Sequence, residues 1–230
     1  AEMANHNTYG VKAVSDEQEA KMKKAIPRCA KLAEACQTDD DKCQTAYEYC
    51  NIEETTPYYA SGLNPYDIRK ECGDSSLCYN MTSTETFLNL ESTKTALGVS
   101  KEVKEWVECN NKVNGMFAND WMHNFDQNLI PMLESNIRVL IYAGDCDFIC
   151  NWMGNKAWTL ALEWTGQKAF NDATDKEIGY GMVRSSTAAE GTGSLTFLQV
   201  YEAGHMVPMD QPKNALDLFN TFIKDESFTK

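Results

Sequence analysis

IRVLIYAGDCDFICNW, residues Ile137 to Trp152, opens as a short apolar run rich in β-branched side chains and closes in a pair of acids around a cysteine. A run of this length, bounded by a glycine, reads as a buried strand of a parallel sheet, here Ile137 to Ala143. A helix is predicted after it, from about Gly154 to Trp164. Two further strands, Gly181 to Ser186 and Leu195 to Tyr201, are predicted on either side of the turn-forming residues AAEGTG. Pro212 to Ile223 reads as a closing helix with proline in its first turn. The pattern from about residue 127 onward is therefore α/β, the end of an open sheet.

In such sheets the chemistry collects at the carboxyl ends of the strands. Asp145 and Asp147 follow the first strand. His205, one of three histidines in the 230 residues, follows the last strand in YEAGHMVPMD, Tyr201 to Asp210. An acid and then a histidine is the tail of the chain order nucleophile, acid, base found in α/β-hydrolases. A buried carboxylate fixes the imidazole tautomer and stabilises the imidazolium formed when the ring takes a proton from a hydroxyl. A histidine after a strand can also be structural, and a strand-end aspartate can be a cap, so the pattern alone leaves both readings open.

Upstream, residues 1 to 126 carry most of the nine cysteines and read as short helices and loops. Lys21 to Ala35 and Lys42 to Tyr49 are predicted helices, with the aspartate-rich CQTDDDKC between them as a turn. Cys29, Cys36, Cys43 and Cys50 recur every seven residues. Within one helix that spacing separates two Cα atoms by about 10 Å, beyond the reach of a disulfide. An antiparallel helical hairpin instead sets Cys36 opposite Cys43 and Cys29 opposite Cys50, so a nested pairing is expected. Cys72 and Cys78 enclose a loop short enough to close on itself. No CxxC and no nearby histidine favours a zinc site in its place. Thr84 to Thr95 and the stretch around Lys101 to Cys109 read as amphipathic.

Composition narrows the setting. A net charge of −13 argues against nucleic acid as a partner and suits an acidic compartment. No run of 18 apolar residues exists that would span a membrane. The expected cystines and the sequon Asn80-Met81-Thr82 point to the secretory pathway, with Asn80 as the glycan acceptor. AEMANHNTYG at the amino end lacks the marks of a signal peptide, so the expectation is that a signal has been removed or that the natural beginning lies further upstream.

RVLIYAGDCDFICNWMGNKAWT and YEAGHMVPMDQPKNALDLFNTFI, with NPYDIRKEC, LCYNMT, NDWM and the four evenly spaced cysteines, closely resemble the serine carboxypeptidases, in particular the carboxypeptidase Y branch. The resemblance runs over nearly the whole chain from about residue 20. It implies the α/β-hydrolase fold, with residues 1–126 as a helical, disulfide-tied cap and 127–230 as the C-terminal part of the core. It implies Asp147 as triad acid, His205 as base, peptide or protein C-termini as substrates and no cofactor. The family's cysteine pairing is the nested one. Trp121, Ile149 and Cys150 are implied to line the pocket for the side chain before the scissile bond, and Tyr66, Tyr79 and Met206 the pocket for the leaving residue. The family's nucleophile is a serine in a GESYAG-type elbow, and no Gly-x-Ser-x-Gly occurs in these residues. The expectation is thus the C-terminal half of such an enzyme, inactive alone, with the N-terminal half supplying serine and oxyanion hole.

Departures and alternatives go with this. Cys146 stands where no cysteine is typical. Thr82 stands where a larger apolar pocket residue is usual. Cys109, in the family, bridges to the N-terminal half. An acyltransferase on the same scaffold, or a non-catalytic binding fragment, are the competing functions, and a lysosome or vacuole or the extracellular space the expected locations.

Overall fold

A computed structural model describes residues 1–75, 77–186 and 192–229. Most of the predicted turn AAEGTG, residues 188–191 of it, lies outside the described residues. Among the described residues six strands form two sheets: β1 (Leu63–Asn64) and β2 (Asp67–Glu71) make an antiparallel hairpin, while β3 (Val139–Gly144), β4 (Lys176–Glu177), β5 (Gly181–Ser185) and β6 (Leu195–Val200) form a second sheet ordered β3-β6-β5-β4. β3 and β6 run parallel, in register from Val139 opposite Leu195 to Gly144 opposite Val200. β5 is antiparallel to both β6 and β4. Among the described residues the far edge of β3 pairs with no strand.

Every residue of β6 is buried, because the strand is covered on both faces. Leu195 and Phe197 pack on one side with Leu133, Val139, Leu162 and Phe170. Leu198 and Val200 face the other way, toward Val183, Val207 and Leu218. This is the period of two expected of a pleated strand. The closing helix, Pro212–Ile223, supplies Leu218, and the helix that follows β3 spans Trp152–Ala161 with the Asn151 side chain accepting from the Gly154 N–H at 2.8 Å. That cap starts the helix two residues before the expected Gly154, and Leu162 and Trp164, expected inside the helix, instead turn into the core beyond it.

The upstream stretch is helical where the cysteines lie. Asp16–Cys36 is one helix, capped by Ser15, whose Oγ accepts from the Gln18 N–H. This cap lets the helix begin five residues before the expected Lys21. Asp39 turns the chain by accepting from the Asp41 N–H, and Cys43–Cys50 runs back as the second helix. Cys29 is bonded to Cys50 and Cys36 to Cys43, with Cα separations of 5.2 and 4.6 Å, and Cys72 to Cys78 at 4.7 Å. Three disulfides are at home in the oxidising secretory pathway.

Two amphipathic stretches come out differently. Thr84 to Thr95 divides into helices Thr82–Asn89 and Glu91–Ala96, because Leu90 is extended at ψ 134°. Lys101 to Cys109 forms no helix. The Asn89 side chain takes up both backbone groups of Trp106, accepting from its N–H and donating to its carbonyl at 2.8 Å each. With no core beneath to reward a helix, that local pairing prevails.

A third core joins the two halves of the sequence. Met3, Met22, Tyr58 and Ile68 pack with Cys146 and Phe148 from the turn after β3, and the Tyr58 and Phe148 rings stack at 3.7 Å.

Candidate active site

The parallel pairing of β3 with β6 makes both strands end at one edge, so the segments after them emerge side by side. Glycine permits the contact: a Cβ on Gly144 would sit 2.3 Å from the carbonyl oxygens of Ala203 and Gly204, and one on Gly204 would sit 2.2 Å from the Tyr66 carbonyl. Backbone bonds then fix both segments. The Cys146 N–H donates to Ala203 O at 2.8 Å, while Phe148 and Ile149 donate to Pro65 O and His205 to Tyr66 O. NPYD, residues 64–67, is thus the brace common to both segments. Its own Asp67 is fully buried; burial opposes the charge, but ion pairs with Arg69 and Lys70 outweigh it and hold the carboxyl below its usual range.

His205 and Asp147 meet in this frame, Nδ1 to Oδ2 at 2.9 Å. Asp147 is buried, its Oδ1 accepting from the Cys150 N–H, whereas the imidazole is 40% exposed. The hydrogen bond to Asp147 first, then Cys150, raise His205 to about 10 against the opposing effect of burial. A carboxylate held on Nδ1 fixes the tautomer of the ring and leaves Nε2 as the nitrogen not bonded to the acid.

The other expected site residues fall into two groups. Tyr66 lies against the imidazole, ring centres 5.3 Å apart, and Tyr79 against Tyr66 at 5.7 Å. The Tyr79 hydroxyl is buried without a partner among the described residues. Met206 directly follows the histidine, and Ile149 and Cys150 lie exposed beside the acid. Trp121 is apart from them, in the short turn Asp120–Met122 against Tyr47 of the helical hairpin. Asn80 is exposed, its Oδ1 accepting from the Thr82 N–H at the start of the helix Thr82–Asn89. Cys109 is an exposed thiol. Cys146 is fully buried, and burial, then Asp145, push its thiol up to about 12, so it is inert near neutrality.

Among the described residues two clusters have metal-like spacing, with donor atoms within 4.8 Å of one another: Asp147, Cys150 and His205, and Cys36, Cys43 and His123. In the second both sulfurs are spent in a disulfide. His123, remote in sequence, was not expected near these cysteines; it bonds Asp40 at 3.1 Å.

A profile of the family described as serine carboxypeptidase matches residues 1–225. The chain belongs to the serine carboxypeptidase family. Among similar members, carboxypeptidase Y homolog A of Podospora anserina is 45% identical in an alignment 229 positions long that covers 96% of this chain and 41% of the relative. Carboxypeptidase Y of Candida albicans is 45% identical over 210 residues, 89% of this chain and 38% of the relative. The chain thus spans about two fifths of the length of these relatives. The crystal structure of Kex1(delta)p, a prohormone-processing carboxypeptidase from Saccharomyces cerevisiae, is similar with a TM-score of 0.69 at 23% identity, covering 92% of this chain and 48% of that one. The fold is that of the serine carboxypeptidases, an α/β-hydrolase sheet with a helical, disulfide-tied region.

Residues in contact with the segments of Asp147 and His205 that the sequence did not single out are Tyr9, the Pro65 and Tyr66 carbonyls, and Asp210, whose Oδ2 accepts from the Gly204 N–H at 2.8 Å.

Proposed function

We propose that the whole protein is a serine carboxypeptidase that releases C-terminal residues from peptides through an acyl-enzyme, with Asp147 as acid and His205 as base. The observation that carries this is the 2.9 Å pair at the shared end of β3 and β6 in a chain of this family. Upon attack, His205 Nε2 takes the proton from a serine hydroxyl as its oxygen bonds to the scissile carbonyl. Asp147 stabilises the imidazolium so formed, which then protonates the leaving amine. The serine and oxyanion donors belong to the rest of the enzyme, joined along the open edge of β3, where Tyr142 is exposed, with Cys109 as the bridging thiol. Tyr66, Tyr79 and Met206 receive the leaving residue; Trp121, Ile149 and Cys150 receive the side chain before the scissile bond. The acidic chain and its disulfides suit a vacuolar or lysosomal location, with a glycan on Asn80.

The test is release of C-terminal amino acids from a blocked dipeptide. The intact protein should turn over, His205→Ala should lower kcat by about 10⁶-fold, and the 230 residues alone should be silent. A phosphonylating reagent should label a serine outside these residues. Turnover by the isolated chain would refute the reading.

A further inference from the structure

We propose that Tyr9 is a positioning residue, its single hydroxyl fastening the segment that carries Asp147 to the segment that carries His205. The proposal rests on reading those two residues as acid and base. Tyr9 Oη lies 2.9 and 3.1 Å from the two carboxylate oxygens of Asp145, to which it donates. The same oxygen accepts from the Glu202 N–H at 2.8 Å. Asp145 stands two residues before Asp147, and Glu202 three before His205. One oxygen therefore bridges both segments directly upstream of the pair.

The surroundings make this bridge hard to replace. Asp145 is fully buried; besides Tyr9 its carboxylate is stabilised by the Glu202 and Ala203 backbone N–H groups and neighbours the Cys146 thiol at 3.5 Å, so the tyrosine hydroxyl joins a site built from both segments. Glu202 holds a left-handed backbone at φ 54°, a conformation unfavourable to a side-chain-bearing residue and maintained by its contacts. The charged and titratable groups facing Tyr9 are Asp145, Cys146 and Arg69, the guanidinium lying 5.8 Å from the ring centre. Removing the hydroxyl takes from a fully buried carboxylate its one tyrosine donor, leaving the Glu202 and Ala203 amides and the Cys146 thiol to stabilise it, and takes from the Glu202 N–H its 2.8 Å acceptor. Both losses drive the two segments to rearrange, and a displacement near 1 Å at such a pair costs about 10²-fold in rate.

The experiment uses the intact protein and Tyr9→Phe. For a blocked dipeptide, kcat should fall about 10- to 100-fold with KM within about 2-fold. The His205 imidazole, followed by NMR with labelled histidine, should titrate lower than in the wild type, because its bond to Asp147 is loosened. Unchanged kcat and titration overturn the proposal, as does a fall in kcat with an unaltered titration. A Tyr9→Phe protein without the near-ultraviolet circular dichroism of the wild type also overturns it, since the hydroxyl then serves stability alone. Should the wild type not cleave the dipeptide, the carboxypeptidase reading fails, while the titration still decides the role of Tyr9.

Discussion

The turn after β3 and the stretch from Thr82 to Phe125 are both rich in apolar side chains, yet they use them in opposite ways. From Ala143 to Phe148 every residue is buried, two aspartates included. Between Thr82 and Phe125 only Thr93 is buried, and Phe87, Leu97, Met116, Phe117, Trp121 and Phe125 are exposed. The first region is closed by backbone hydrogen bonds to neighbours distant in sequence, so its geometry is complete in this chain. The second is organised by short helices and local side-chain bonds, and presents an apolar surface of the kind that marks an interface. The segment that holds Asp147 and the stretch from Thr82 to Phe125 are thus built to different tolerances.

The sharpest way to break this contrast is to add one methyl group in each region. Gly204→Ala drives a Cβ to within 2.2 Å of the Tyr66 carbonyl, which is backbone and cannot swing aside. It should destabilise by about 3 kcal/mol, at the upper end for overpacking, and separate His205 from Asp147. Urea denaturation checks the first effect and histidine NMR the second. Cys29→Ser with Cys50→Ser opens the larger hairpin loop, of sequence separation 21, and should cost a similar or slightly smaller amount, about 2–4 kcal/mol. Here the imidazole titration should stay as in the wild type, and a shift would show that the two regions are not independent.

A milder probe is pH. His205 is raised in the folded state from 6.5 to about 10, so its contribution to stability is fully present below about pH 6.5 and is lost as pH rises toward 10. The denaturation midpoint should therefore fall over that window in the wild type and fall less in His205→Gln. The smallest effect is expected from Gly115→Ala, inside the helix Asn111–Met116 with nothing within 4 Å of the new methyl. It should stabilise by about 0.5–1 kcal/mol. Equal responses at Gly204 and Gly115 would dissolve the comparison.

The same difference explains what the sequence could tell. β3, β6 and the helix Pro212–Ile223 were legible because each buries a contiguous or periodic apolar set against the sheet. The cysteine hairpin was legible because seven-residue spacing and the reach of a disulfide leave little choice of geometry. Lys101 to Cys109 misled, since its helical periodicity has no core to act on and Asn89 captures its backbone. The hairpin of β1 and β2 is too short to leave a pattern. Tyr9, bonded to Asp145 136 positions away, carries no local signal at all. Asp147 and His205 stood out by chain order, whereas their supports, Pro65 O and Tyr66 O, are backbone atoms to which the sequence gives no name.

The unbroken ladder between β3 and β6 sets how this protein fails. Six consecutive residue pairs, from Val139 with Leu195 to Gly144 with Val200, lead without a bulge into the two segments that hold the pair. Amide protons along these strands should exchange with solvent only in openings that also part Asp147 from His205. Heating should then leave fewer molecules with the pair intact at each temperature and not a population with the pair loosened, so the Asp147–His205 hydrogen bond and the residual sheet should decline along one curve.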